Sequence, residues 1–237
     1  MDKQTKKLGV ITNLALVVIF VAVLAISFLP QNVVPIYSGN KIGAIYNGNR
    51  ENKNVSLMFN VYENTEIVNS IMDTLKIYDA KCTFFVGGCW ADDNGECLKR
   101  MVSEGHEVAN HGYFHKDHKN LTYEQNKQEI SNTNTIIKAL CDKDVTLFAP
   151  PSGSFSENTL EACYELNLSV IMWSKDTIDW RDKSAKIVYD RATKDLTNGD
   201  LVLMHPKQHT LEALPNILEF CKKAALNVVT VTDNIGD

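Results

Sequence analysis

From Val55 onward the chain alternates short apolar runs with segments whose apolar residues recur every three or four positions. Ser56 to Val61 is followed by Glu66 to Tyr78, and Cys82 to Val86 by Glu96 to Glu104. Glu107 to Ala109 precedes a long helical pattern from Tyr123 to Leu140, and Thr146 to Phe148 precedes another from Ser156 to Glu165. The series closes with Ser169 to Trp173, Ala185 to Leu196, Leu201 to Met204, Leu211 to Ala225 and Val228 to Val231. Strand then helix, repeated seven or so times, predicts a parallel sheet with helices outside it, and the count suits a (β/α) barrel. In such a barrel the reactive residues gather where strands end and strand-to-helix loops begin.

The first 29 residues follow another pattern. Lys3, Lys6 and Lys7 precede an apolar stretch from Leu8 to Leu29, which at 22 residues is long enough to cross a bilayer as a helix. The basic flank predicts a cytoplasmic N-terminus and a cell-membrane protein with everything from Pro30 outside. A cleaved signal peptide is the competing expectation, because Ala25-Ile26-Ser27 resembles a processing site. The length of the run favours the anchor. The Asn-, Gly- and Pro-rich residues 30–54 are expected to form a stem, with a short hairpin near Ser38 to Lys41, so that the expected domain spans 55–237.

Composition narrows the function. A length of 237 residues at 44% hydrophobic supplies one domain of about 200 residues with a sizeable core. Net charge is −5 with no basic stripe, which argues against a nucleic-acid partner. The six cysteines fit no zinc-binding or disulfide spacing and read mostly as buried thiols; a Cys89–Cys97 pair is the one bridge the spacing suggests.

All six histidines fall in two windows. His111 and His115 stand four apart directly after the strand at Glu107 to Ala109; on a helical turn they would share one side, as two ligands of a divalent metal such as zinc do. Capping and core packing are the plainer roles for such a pair. His205 is the first polar residue after the apolar strand Leu201 to Met204, where a general acid or base would stand. Asp176 and Asp179 follow the strand ending at Trp173, and either can orient a histidine or cap a helix. Pro150-Pro151-Ser152-Gly153 is a rigid turn whose Ser152 N–H can face a developing oxyanion. His106, His118 and His209 are expected on the surface or behind the site.

Taken in order, LMFNVYEN, TFFVGG, HGYFH, PPSG, IDW and LMHP resemble the polysaccharide deacetylases of carbohydrate esterase family 4, over about Val55 to Val231. The resemblance implies a distorted (β/α) barrel and the metal-dependent removal of acetyl from N-acetylated glycans such as peptidoglycan or exopolysaccharide. It implies that His111 and His115 bind the metal, that His205 is the general acid, that Asp179 tunes it, and that Trp180 and Leu203 wall the acetyl pocket. It also exposes departures. Asn60 and Val61 stand where the family has its base and third metal ligand, and Ala149 where an arginine pairs with the base. An amide cannot take a proton as a carboxylate does, and valine offers no donor. Two outcomes follow: Glu63 or Asp176 substitutes as ligand or base in a working hydrolase, or the pocket holds glycan without cutting it. A barrel with merely buried histidines is a third, less favoured outcome.

Overall fold

The computed structural model of the protein describes residues 43–236, and the expected transmembrane segment and hairpin lie outside them. Among the described residues no helix is long and apolar enough to cross a membrane.

Among the described residues eight strands and eight α-helices follow one another, mostly in alternation. They are β1 (Asn54–Val61), α1 (Thr65–Ile77), β2 (Thr83–Val86), α2 (Gly88–Asp93), α3 (Gly95–Ser103), β3 (Glu107–Asn110), α4 (Tyr123–Cys141), β4 (Leu147–Phe148) and α5 (Glu157–Glu165). Then come β5 (Ser169–Val170), β6 (Lys175–Asp176), α6 (Ala185–Thr193), β7 (Leu201–Met204), α7 (Gln208–Lys223), β8 (Asn227–Val228) and α8 (Val231–Ile235). The order across the sheet is β5-β4-β3-β2-β1-β7-β6, all parallel, with β8 pairing to the start of β1. β5 and β6 are at opposite ends of this path, yet only residues 171–174 separate them in sequence. Five Cα steps reach about 18 Å at most, so the sheet must curl until its ends are near one another. This is the expected barrel, distorted and open along one seam.

Alternation along each strand sorts side chains into two cores. Val55, Leu57, Phe59 and Val61 of β1 pack outward with Phe84, Val86, Val202 and Met204 against the helices. Met58, Phe85, Ala109, Leu147, Leu201 and Leu203 fill the interior. The next inward position beyond Met58 is Asn60, beyond Ala109 is His111, and beyond Leu203 is His205. Period-two geometry thus delivers three polar residues to one end of the barrel.

The structure corrects several boundaries. Ile45 bridges Ile171 and Asn47 bridges Asp200, so part of the expected stem packs on the domain through backbone pairing. Val231 opens a helix instead of ending a strand, because the Thr230 side chain accepts the N–H of Asp233 as an N-cap. β6 and α2 are too short to register as periodic runs. All six cysteines are free; Cys89 is exposed while Cys97 is buried in the outer core, so the suggested bridge does not form. Burial pushes the Cys163 thiol up to about 12 and those of Cys97 and Cys221 up to about 11, leaving them small hydrophobic fillers.

Candidate active site

A pocket of about 510 Å³ opens at the strand ends, lined by Asn60, Glu63, His111, His115, Asp176, Trp180, Leu203 and His205 among others. Ser152 lines it too, whereas Pro151, expected beside it, is buried and is not among the lining residues.

The best-built part is the Asp179–His205 pair. Asp179 is 1% exposed. Its Oδ1 lies 2.7 Å from His205 Nδ1, and its Oδ2 accepts the His205 backbone N–H and the Thr210 hydroxyl, both at 2.7 Å. Burial works against its charge, but these donors outweigh burial and hold the carboxyl below its ordinary range. Nδ1 is thereby committed to Asp179 and Nε2 is left for proton transfer. His209 backs the pair, its Nε2 lying 2.7 Å from the Asp179 carbonyl. Ile178, just before Asp179, has a left-handed φ of 53°, costly for a β-branched residue, and its N–H is fixed by the Asp176 carboxylate at 2.8 Å. Asp176 therefore acts locally on the turn as well as lining the pocket.

His111 is buried, with Nδ1 2.7 Å from the Ala149 carbonyl. Burial, helped by the neighbouring His115, lowers its pKa to about 3, so the ring is neutral; the Nδ1 proton goes to Ala149 and the lone pair is on Nε2. Where an arginine was the family expectation, this alanine is fully buried and contributes its carbonyl. The His115 ring meets His111 edge-on at 5.2 Å between centroids, and burial lowers its pKa as well. His115 does not share a helical turn with His111, because the segment is a loop and His115 has a φ of 53°.

That loop is held from behind by α4, a contact that the order of residues alone does not announce. One Glu129 carboxylate oxygen accepts the N–H groups of Tyr113 (3.1 Å) and Phe114 (2.9 Å), and the other pairs with Lys116 at 2.8 Å. The Asn110 side chain takes the Gly112 N–H at 2.7 Å and donates to Asn134, also on α4. His118 is fully buried, 2.7 Å from Asn126 Oδ1, and His106 is buried against Cys82, so neither is a surface residue. The available signal was the recurrence of Asn126, Glu129 and Thr133 on one face of a helix with few apolar residues.

The remaining expected residues do not complete a metal site. Val61 is fully buried in the outer core. The Glu63 carboxylate lines the pocket and is ion-paired there with Lys207. Among the described residues no group of three or more His, Cys, Asp or Glu side chains is placed to hold a metal. The neutral imidazoles of His111 and His115 suit a divalent ion as two donors, but they do not amount to a full protein ligand set. Asn60 is 5% exposed, and its Oδ1 has no hydrogen-bond partner.

A curled parallel sheet thus brings a histidine pair and an Asp–His pair into one pocket at its strand ends. The chain belongs to the polysaccharide deacetylase family, whose pattern it matches over residues 47–171. It is 32% identical over 199 residues to the Bacillus subtilis peptidoglycan-N-acetylmuramic acid deacetylase PdaA, covering 81% of this chain and 75% of PdaA. It is also 32% identical over 189 residues to the uncharacterized B. subtilis protein YlxY; that match takes in 80% of this chain but only 59% of YlxY. Among solved structures it resembles wild-type BA3943, a pseudoenzyme of this esterase family from Bacillus anthracis, with a TM-score of 0.80 and 33% identity over 83% of this chain and 70% of that one. A mutant of that pseudoenzyme with restored enzymatic activity matches at the same TM-score, with 31% identity over 83% of this chain and 72% of the other.

Proposed function

We propose that the protein removes acetyl groups from N-acetylated cell-wall or extracellular glycans, peptidoglycan first, hydrolysing a C–N bond that is not a peptide bond, and that it does so slowly. The observation that carries this reading is the Asp179–His205 pair opening onto the same pocket as His111 and His115. With the acetamide seated between them, His205 Nε2 protonates the departing amine while Asp179 holds Nδ1 and stabilises the imidazolium. Trp180 and Leu203 wall the acetyl group, and the turn at Pro151 and Ser152 borders it. The acid half of the machinery is therefore complete. The base half is not, because Asn60 cannot accept the proton of an attacking water; that proton passes to bulk water instead, which is what makes the reaction slow. A divalent ion, zinc first, would find two ligands in His111 and His115; polarising the acetyl carbonyl is what it supplies when bound. PdaA, a peptidoglycan-N-acetylmuramic acid deacetylase, supports the substrate class.

A second reading, in which the pocket binds glycan without cutting it, is favoured by Asn60 itself and by the likeness to the B. anthracis pseudoenzyme. Acetate release from N-acetylated peptidoglycan, measured on the full chain, separates the two. Slow release that disappears in His205→Ala supports the hydrolase. Retention of glycan by both proteins, with no acetate from either, leaves only the binding function.

The expected location is the cell membrane, through residues Leu8 to Leu29, with the domain outside. Fractionation of cells tests this: the full chain should sediment with membranes, resist a high-salt wash and be digested by protease added to intact protoplasts. Release into the medium would indicate cleavage instead.

A further inference from the structure

Tyr62 has no role in the chemistry above, yet it is fixed from three sides. Its ring meets His115 edge-on, centroids 5.2 Å apart at 69°. Its hydroxyl donates to the Tyr113 carbonyl. Beneath it is Gly87, where an added β-carbon would fall inside the ring itself. Gly87 has an ordinary extended conformation (φ −73°, ψ 136°), so its backbone does not require glycine; the space taken by Tyr62 does. Tyr62 nevertheless lines the pocket, beside Trp173 and Trp180. An aromatic face locked in place before any ligand arrives loses little entropy on binding. It suits a ligand that is flat and apolar on one face and hydroxylated at its edges, which describes a pyranose ring.

We infer that Tyr62 is a specificity-determining residue that stacks on a sugar ring of the bound glycan, and that Gly87 is glycine in order to admit it. The inference rests on the glycan reading above and names a contact which that reading does not require. Stacking of this kind changes affinity by about tenfold.

The test is calorimetric titration of the full-length protein with the β-1,4-linked tetramer of N-acetylglucosamine. Tyr62→Ala should weaken binding about tenfold. Gly87→Ala, which alters no pocket-lining residue, should do the same by expelling the ring. Tyr62→Phe, which keeps the ring, should remain within about threefold of wild type. Tyr62→Ala and Gly87→Ala that keep the wild-type circular dichroism and the wild-type affinity overturn the inference and leave the glycan reading intact. A wild type that binds no tetramer overturns both. Should either variant lose its fold, nuclear Overhauser contacts between the Tyr62 ring and sugar ring protons in the wild-type complex decide: their presence supports the stacking role and their absence removes it.

Discussion

At position 60 a single atom separates two chemistries. An aspartate there would present a carboxylate able to take a proton; Asn60 presents to the same pocket an amide that cannot. Restoring the carboxylate supplies a base to a site whose acid is already poised. Asn60→Asp should therefore raise the rate of acetate release by about a hundredfold, the lower range for a positioned general base. No increase in a folded variant would mean that the missing base is not what limits the site. The placement of Asn60, His111 and His205 at one end of the barrel was legible in the sequence, because each continues the inward alternation of its strand. Tyr62 was not, since nothing in the order Asn60-Val61-Tyr62 announces that Gly87, 25 residues later, leaves room for its ring.

On the scale of elements, α4 carries the loop that holds both pocket histidines. Its Glu129 is buried and satisfies two loop N–H groups and Lys116 together. Glu129→Ala would strand these donors, and we expect a loss of about 3 kcal/mol in urea unfolding, with Glu129→Gln losing less because an amide oxygen still accepts. Equal losses in the two variants would show that charge, not acceptor geometry, holds the loop. The sequence did place this helix: periodicity predicts Tyr123 to Leu140, and the structure has Tyr123–Cys141, begun by a capping box of Thr122 and Gln125. The pattern could not show which loop the polar face of α4 would meet, since residues 110–118 reach it only through the fold. The same limit explains β6, a two-residue strand made by pairing with Val202 and Leu203.

The whole molecule encloses histidines that are neutral when folded. Burial, with Lys81 adding to it, lowers His106 to about 4, and burial lowers His118 too. An unfolded histidine titrates near 6.5, so between about pH 6.5 and 4 the unfolded chain binds protons that the folded one does not. Stability should be complete above pH 6.5 and fall as pH drops towards 4, by on the order of 2 kcal/mol for His106 after allowance for solvent screening. Asp179, with its folded pKa lowered, adds a further loss only as pH falls through the carboxylate range. Urea midpoints at pH 7.5, 5.5 and 4.5 check the slope; a flat profile would mean that these rings reach water. The sequence by itself determined the alternation of strand and helix, hence the parallel barrel, and the clustering of unusual residues at strand ends, because periodicity and chain order are local properties. Only the tertiary structure decided that Val61 turns to the outer core, that Glu63 pairs with Lys207, that Ala149 contributes a carbonyl to His111, and that Gly87 admits Tyr62. Each of these depends on which side chains from distant parts of the chain compete for the same space and charge.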